Sequence, residues 1–81
     1  MELLFFKAPW CTACNAIEKL VPKDCIHINC NLDQETPAKY NIDHLPVFIA
    51  IDDNKKEIAR IMTNNVKVIK AWYDTLKVAE Q

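Results

Sequence analysis

Phe6-Lys7-Ala8-Pro9-Trp10-Cys11-Thr12-Ala13-Cys14 sets two thiols at Cys-X-X-Cys spacing, where the apolar run Leu3-Leu4-Phe5-Phe6 gives way to a helix-like stretch. A thiol at a helix start meets free N–H groups and partial positive charge, which favour the thiolate, the nucleophile of disulfide exchange. The spacing brings the second sulfur within reach of the first, so a mixed disulfide can be resolved internally. Cys11 is therefore expected to be the exposed nucleophile, with a pKa below the ~8.5 of an unperturbed thiol. Cys14, one turn further in, is expected to be buried and to stay protonated until it attacks. A zinc site also uses this spacing but wants four ligands in tight pairs, and the other two cysteines, Cys25 and Cys30, lack that pairing.

Outward from this stretch, hydrophobic periodicity assigns the elements. Residues 2–7 are apolar on both faces and predict a central strand in a covered sheet. Residues 11–21 predict a helix with Ala13, Ile17, Leu20 and Val21 buried, stopped by Pro22. A second strand is expected over 25–32, with Ile26, Ile28 and Cys30 on one face and Cys25, His27 and Asn29 on the other. Asp33-Gln34-Glu35-Thr36-Pro37 is a helix entrance, with Thr36 capping and Pro37 first in a short helix to about Tyr40. Pro46 to Ile51 forms a third strand, Asp52 to Lys55 a turn, and Glu57 to Met62 an antiparallel fourth strand. Asn64 or Asn65 caps a last helix to about Val78, with the stripe Val66, Ile69, Trp72, Tyr73 and Leu76. Glycine is absent, so Asn, Asp and Pro must make the turns, with Asn best suited to left-handed backbone.

The chain has 81 residues, 51% of them hydrophobic, and a net charge of −1. That suits one domain over residues 1–81 with its own core. Mixed charge with no basic stripe points away from nucleic acid. The apolar runs are far too short to span a membrane. The N-terminal residues carry no secretory leader, so the expected location is cytoplasmic. If residues 25–30 are extended, the Cys25 and Cys30 α-carbons lie roughly 16 Å apart, too far for a disulfide. Both are expected to be small buried hydrophobes.

The order strand, helix, strand, helix, strand, strand, helix, with Cys-X-X-Cys at the first junction, resembles the thioredoxin family. Three segments carry the resemblance: residues 6–14 with Trp10 before the first cysteine; Asn31-Leu32-Asp33 with Pro37-Ala38-Lys39-Tyr40-Asn41-Ile42; and Leu45-Pro46-Val47-Phe48. Together they span nearly the whole chain. The resemblance implies a minimal α/β thioredoxin-like fold, with a four-stranded mixed sheet flanked by helices. It also implies a protein-disulfide reductase or dithiol electron carrier, with Cys11 as nucleophile and Cys14 as resolving thiol. No cofactor or metal beyond the redox-active pair is expected. The partners it implies are a disulfide-bearing protein and an external, NADPH-dependent reductase, and the expected state is a monomer. Pro9 and Trp10 are expected to form an apolar rim. A cis Leu45–Pro46 bond is expected to leave the Leu45 backbone free to pair with an extended substrate chain.

Several positions depart from the family pattern. Phe5 stands where thioredoxins carry a buried aspartate, and the glycine before the last helix is replaced within Met62-Thr63-Asn64. Thr12 and Ala13 replace the usual Gly-Pro, and the glutathione-binding glycine pair of glutaredoxins is missing, which disfavours glutathione as a dedicated ligand. Lys7 either tunes Cys11 or reaches water, His44 and His27 are expected to be solvated and half-buried bystanders, and Trp72 belongs to the core. The rival reading is a thioredoxin-fold binding module whose cysteines are non-catalytic or metal-bound.

Overall fold

A computed structural model of the chain describes residues 1–80. Seven elements follow one another: β1 (Glu2–Lys7), α1 (Thr12–Ile17), β2 (Ile26–Asn29), α2 (Glu35–Lys39), β3 (Val47–Ile51), β4 (Glu57–Ile61) and α3 (Val66–Glu80). The strands form one mixed sheet in the order β2-β1-β3-β4. β1 runs parallel to β2 and antiparallel to β3, and β3 pairs antiparallel with β4. The parallel pair needs a crossover, which α1 supplies.

Side chains alternate across a strand, so the central strands feed two cores. Leu3 and Phe5 of β1, with Phe48 of β3, join Cys14 and Ile17 of α1 and Ile69 and Tyr73 of α3 on one face. Leu4, Phe6, Val47, Ile49 and Ile51 pack with Tyr40 on the other. Phe5 and Phe48 are fully buried and stack with ring centroids 4.6 Å apart. Trp72 packs partly buried against the first cluster, in the stripe its spacing predicted.

α1 is shorter than its periodicity suggested. It ends at Ile17, whose carbonyl accepts from the Leu20 and Val21 amides. The Leu20 bond is of 3₁₀ type, which tightens the turn and rotates Leu20 out of the buried stripe, leaving it 56% exposed. The buried residues of α1 are Cys14 and Ile17. β2 is also shorter than expected, because the Asn29 carbonyl accepts from the Leu32 and Asp33 amides and its side chain accepts from Asn31 N–H. These bonds turn the chain after one more ladder bond, from Cys30 N–H to the Lys7 carbonyl.

The cap of α2 differs from expectation as well. Thr36 lies inside the helix, and Asp33 is the capping side chain: it accepts from Thr36 N–H at 3.0 Å and from the Thr36 hydroxyl at 2.6 Å. A carboxylate accepts both bonds where a hydroxyl would accept one, and they hold the Asp33 carboxyl below its usual pKa. At the other end Asn41 takes a left-handed conformation, φ 55°. The Asn41 amide bonds the Ala38 carbonyl and the Ile42 amide bonds the Pro37 carbonyl, the Schellman pattern. An asparagine thus makes the turn that glycine makes elsewhere. In the β3–β4 turn Lys55 is the second left-handed residue, φ 66°. Asn65 caps α3, its side-chain oxygen accepting from the Lys67 and Val68 amides.

Candidate active site

The end of β1 and the start of α1 build the site. Cys11 is the N-cap of α1, with extended backbone (φ −89°, ψ 103°). Its amide bonds the Ala8 carbonyl at 3.0 Å, which fixes the turn through Pro9 and Trp10. The Asn15 amide nitrogen braces that turn by donating to the Pro9 carbonyl at 3.0 Å. Cys11 and Cys14 are joined in a disulfide, with α-carbons 5.3 Å apart. Cys14 N–H donates to Cys11 Sγ at 3.2 Å, so the first sulfur receives a free amide of the helix start.

Contrary to expectation, Cys11 is not an exposed thiol here: in the disulfide it is 7% exposed, while Cys14 is 0%. Leu45, partly buried, packs against the core cluster that includes Cys11. The predicted order, Cys14 deeper than Cys11, is what the structure has.

Just before Cys11 in the chain, Trp10 is 71% exposed and Pro9 is exposed beside it. The Leu45–Pro46 bond is cis. Two clefts, each about 310 Å³, share Leu45 and His44. One is also lined by Ala13, Pro46, Met62, Thr63 and Asn64, so the segment that replaces the family glycine lies beside Pro46. The other carries Trp10, Cys30, Pro37, Ile42 and Asp43. Sequence reading named Trp10, Leu45 and Pro46 here and missed Cys30, Ile42 and Asp43. The closeness of Ile42 and Asp43 to Leu45-Pro46 was the available signal, whereas Cys30 arrives through β2 and left no local trace.

The remaining polar groups lie to the side. The Lys7 ammonium bonds the Glu18 carboxylate rather than Cys11 and holds that carboxyl below its usual pKa. His27 packs edge-on against Phe5, and burial, assisted by Lys7, pushes its pKa down. Its Nε2 is 3.7 Å from Cys25 Sγ. Burial raises the Cys25 thiol to about 11, with Asp24 adding to the effect. Cys30 is raised by burial first and by Asp33 second. Both are free thiols, Cys25 buried and Cys30 half-buried. At neutral pH they are protonated and poor nucleophiles, so thiolate chemistry falls to the Cys11–Cys14 pair once reduced. His44 is an exposed loop residue, as expected, with Nδ1 2.5 Å from Asp43 Oδ1, yet it borders both clefts. Among the described residues, no group of three or more His, Cys, Asp or Glu side chains is placed to hold a metal ion.

No protein-family model matches the chain, and no curated protein sequence matches it. Solved structures do. Thioredoxin 1 from Thermosipho africanus superposes with a TM-score of 0.73 at 23% identity, each chain covered in full. A thioredoxin from Malassezia sympodialis gives a TM-score of 0.81 at 17% identity, over 90% of this chain and 71% of that one. Schistosoma mansoni thioredoxin gives 0.74 at 25% identity, over 91% and 76%. With its β-α-β-α-β-β-α order, its mixed four-stranded sheet and a Cys-X-X-Cys disulfide at the first strand–helix junction, the chain has the thioredoxin fold.

Proposed function

We propose that the protein is a thiol–disulfide oxidoreductase that reduces disulfides in other proteins. The observation that carries this reading is the Cys11–Cys14 disulfide at the start of α1, with Cys14 N–H directed at Cys11 Sγ. In the reduced protein that amide favours the Cys11 thiolate. The thiolate attacks one sulfur of the substrate disulfide: the substrate S–S bond breaks, a Cys11–substrate bond forms, and the other substrate sulfur leaves as a thiolate that takes a proton. Cys14, deprotonated, then attacks Cys11 Sγ and expels the second substrate thiolate. Two electrons have passed to the substrate, and the Cys11–Cys14 disulfide is the state seen here.

Pro9, Trp10, Leu45 and Pro46 form the docking surface in this reading, with an extended substrate segment running along Leu45. A separate reductase, NADPH-dependent, returns two electrons to the pair. No cofactor of the protein's own enters the steps. A monomer in the cytoplasm completes the proposal, and the two free thiols, Cys25 and Cys30, accord with a reducing compartment.

Insulin reduction driven by dithiothreitol tests it. The wild-type chain should accelerate precipitation of the insulin B chain, and Cys11→Ser should abolish the acceleration. No acceleration by the wild type, with stoichiometric zinc retained on the cysteines, would instead make the chain a binding module.

A further inference from the structure

The cleft between Trp10 and Ile42 has a chemical character of its own. Its lining is mainly apolar, contributed by Trp10, Cys30, Pro37, Ile42 and Leu45, and the carboxylate on it is Asp43. The Asp43 side chain is 80% exposed, so its charge stands at the mouth. A second carboxylate, Asp33, lies near enough to act on Cys30. Among the described residues the cleft's lining includes His44 but no lysine or arginine. Besides His44, the group acting on Asp43 is Arg60, whose guanidinium is committed to Glu57 at 2.6 and 2.7 Å and to the Tyr40 carbonyl at 2.7 Å. Trp10 presents most of its indole to solvent at the same place. An apolar wall, an exposed indole and a rim carboxylate whose only close side-chain partner among the described residues is the exposed His44 complement one kind of side chain: a long aliphatic stem ending in a planar cation.

We infer that the protein selects disulfide substrates with an arginine close to the reacting cysteine, its stem in the cleft, its guanidinium on the Trp10 indole and paired with Asp43. This rests on the proposed reductase reading and adds the substrate's chemistry to it. The cleft includes Trp10, adjacent to Cys11 in the chain, and Leu45, both residues of the proposed docking surface, so the arginine is sought at the positions flanking the substrate cysteine. The His44 ring already bonds Asp43, and the substrate cation displaces it.

The test compares otherwise identical disulfide-bonded peptides carrying Arg, norleucine or Glu in turn at the two positions on either side of the cysteine. It reads kcat/KM for reduction and, separately, Kd for matching peptides with Ser in place of Cys. At least at one position Arg should exceed norleucine by about fivefold, with Glu weaker still, as expected for one partly exposed ion pair plus one cation–π contact. The Arg-to-Glu ratio should fall toward one in Asp43→Asn, reverse in Asp43→Lys, and shrink at high salt. Each ratio is internal to one variant, so differences in overall activity cancel. A wild-type ratio near one at every position, or an unchanged ratio in Asp43→Asn, overturns the inference. Failure to reduce any peptide, hydroxyethyl disulfide included, while the Kd preference persists would sink the reductase reading and the substrate selection built on it, leaving only an arginine-binding cleft.

Discussion

Replacing Phe5 by leucine separates packing from chemistry at the position where thioredoxins hold an acid. The ring is fully buried and nearly parallel to Phe48, 6° between planes at 4.6 Å. An aromatic pair of this kind contributes about 0.5–1.5 kcal/mol beyond its buried area. The change of shape in a filled core adds up to about 1.5 kcal/mol. Phe5→Leu should therefore cost about 2 kcal/mol, out of a total of roughly 4–12 kcal/mol for a chain of this length. That lowers Tm by about 8–16 °C. Urea unfolding of the oxidised protein, followed by circular dichroism, measures the loss. A double-mutant cycle with Phe48→Leu should return a coupling of about 1 kcal/mol. Reduction of disulfides per folded molecule should change less than threefold, because Phe5 carries no proton-transferring group. A stability loss under 0.5 kcal/mol, or a tenfold loss of activity with the fold intact, refutes this reasoning.

Two further predictions concern the cap of α3 and the buried thiol. Asn65→Ala removes the acceptor for the Lys67 and Val68 amides and should cost about 1 kcal/mol in urea unfolding; an unchanged midpoint would mean the helix start is satisfied by water. Cys25, raised to about 11 by burial, favours the fold as a neutral thiol. Its contribution is complete below the unfolded thiol's pKa and is lost as pH rises through 11. The alkaline fall in Tm between pH 9 and 11 should be shallower in Cys25→Ala than in the wild type, and equal slopes would contradict the assignment.

What the sequence made legible was local. Residues 2–7 and 47–51 are strands because apolar residues occupy both faces, and the turn between β3 and β4 is announced by Asp52-Asp53-Asn54. The Cys11–Cys14 spacing and the start of α3 at Asn65 are equally local signals. That an asparagine, here Asn41, takes left-handed backbone accords with the lack of glycine, whereas Lys55 in the same conformation was not foreseen. What escaped depends on competition among hydrogen bonds or on contacts distant in sequence. The early end of α1 depends on a 3₁₀ turn at Leu20 that Pro22 does not announce. Asp33 outcompetes Thr36 as a cap because a carboxylate accepts two bonds. Cys11 is buried within a core cluster that residues distant in sequence, Leu45 among them, help to pack. The cleft holding Cys30, Ile42 and Asp43 exists only once β2 has crossed back beside β1.

The central claim is that the Cys11 sulfur performs the attack and Cys14 resolves it. The direct measurement is mass spectrometry of a Cys14→Ser variant mixed with a disulfide-bearing protein, with Cys14→Ser/Cys11→Ser alongside. The account predicts one stable mixed disulfide, mapped by peptide digestion to Cys11 and absent from the double variant. An adduct on Cys25 or Cys30, or none while the wild type still reduces the same substrate, would contradict it.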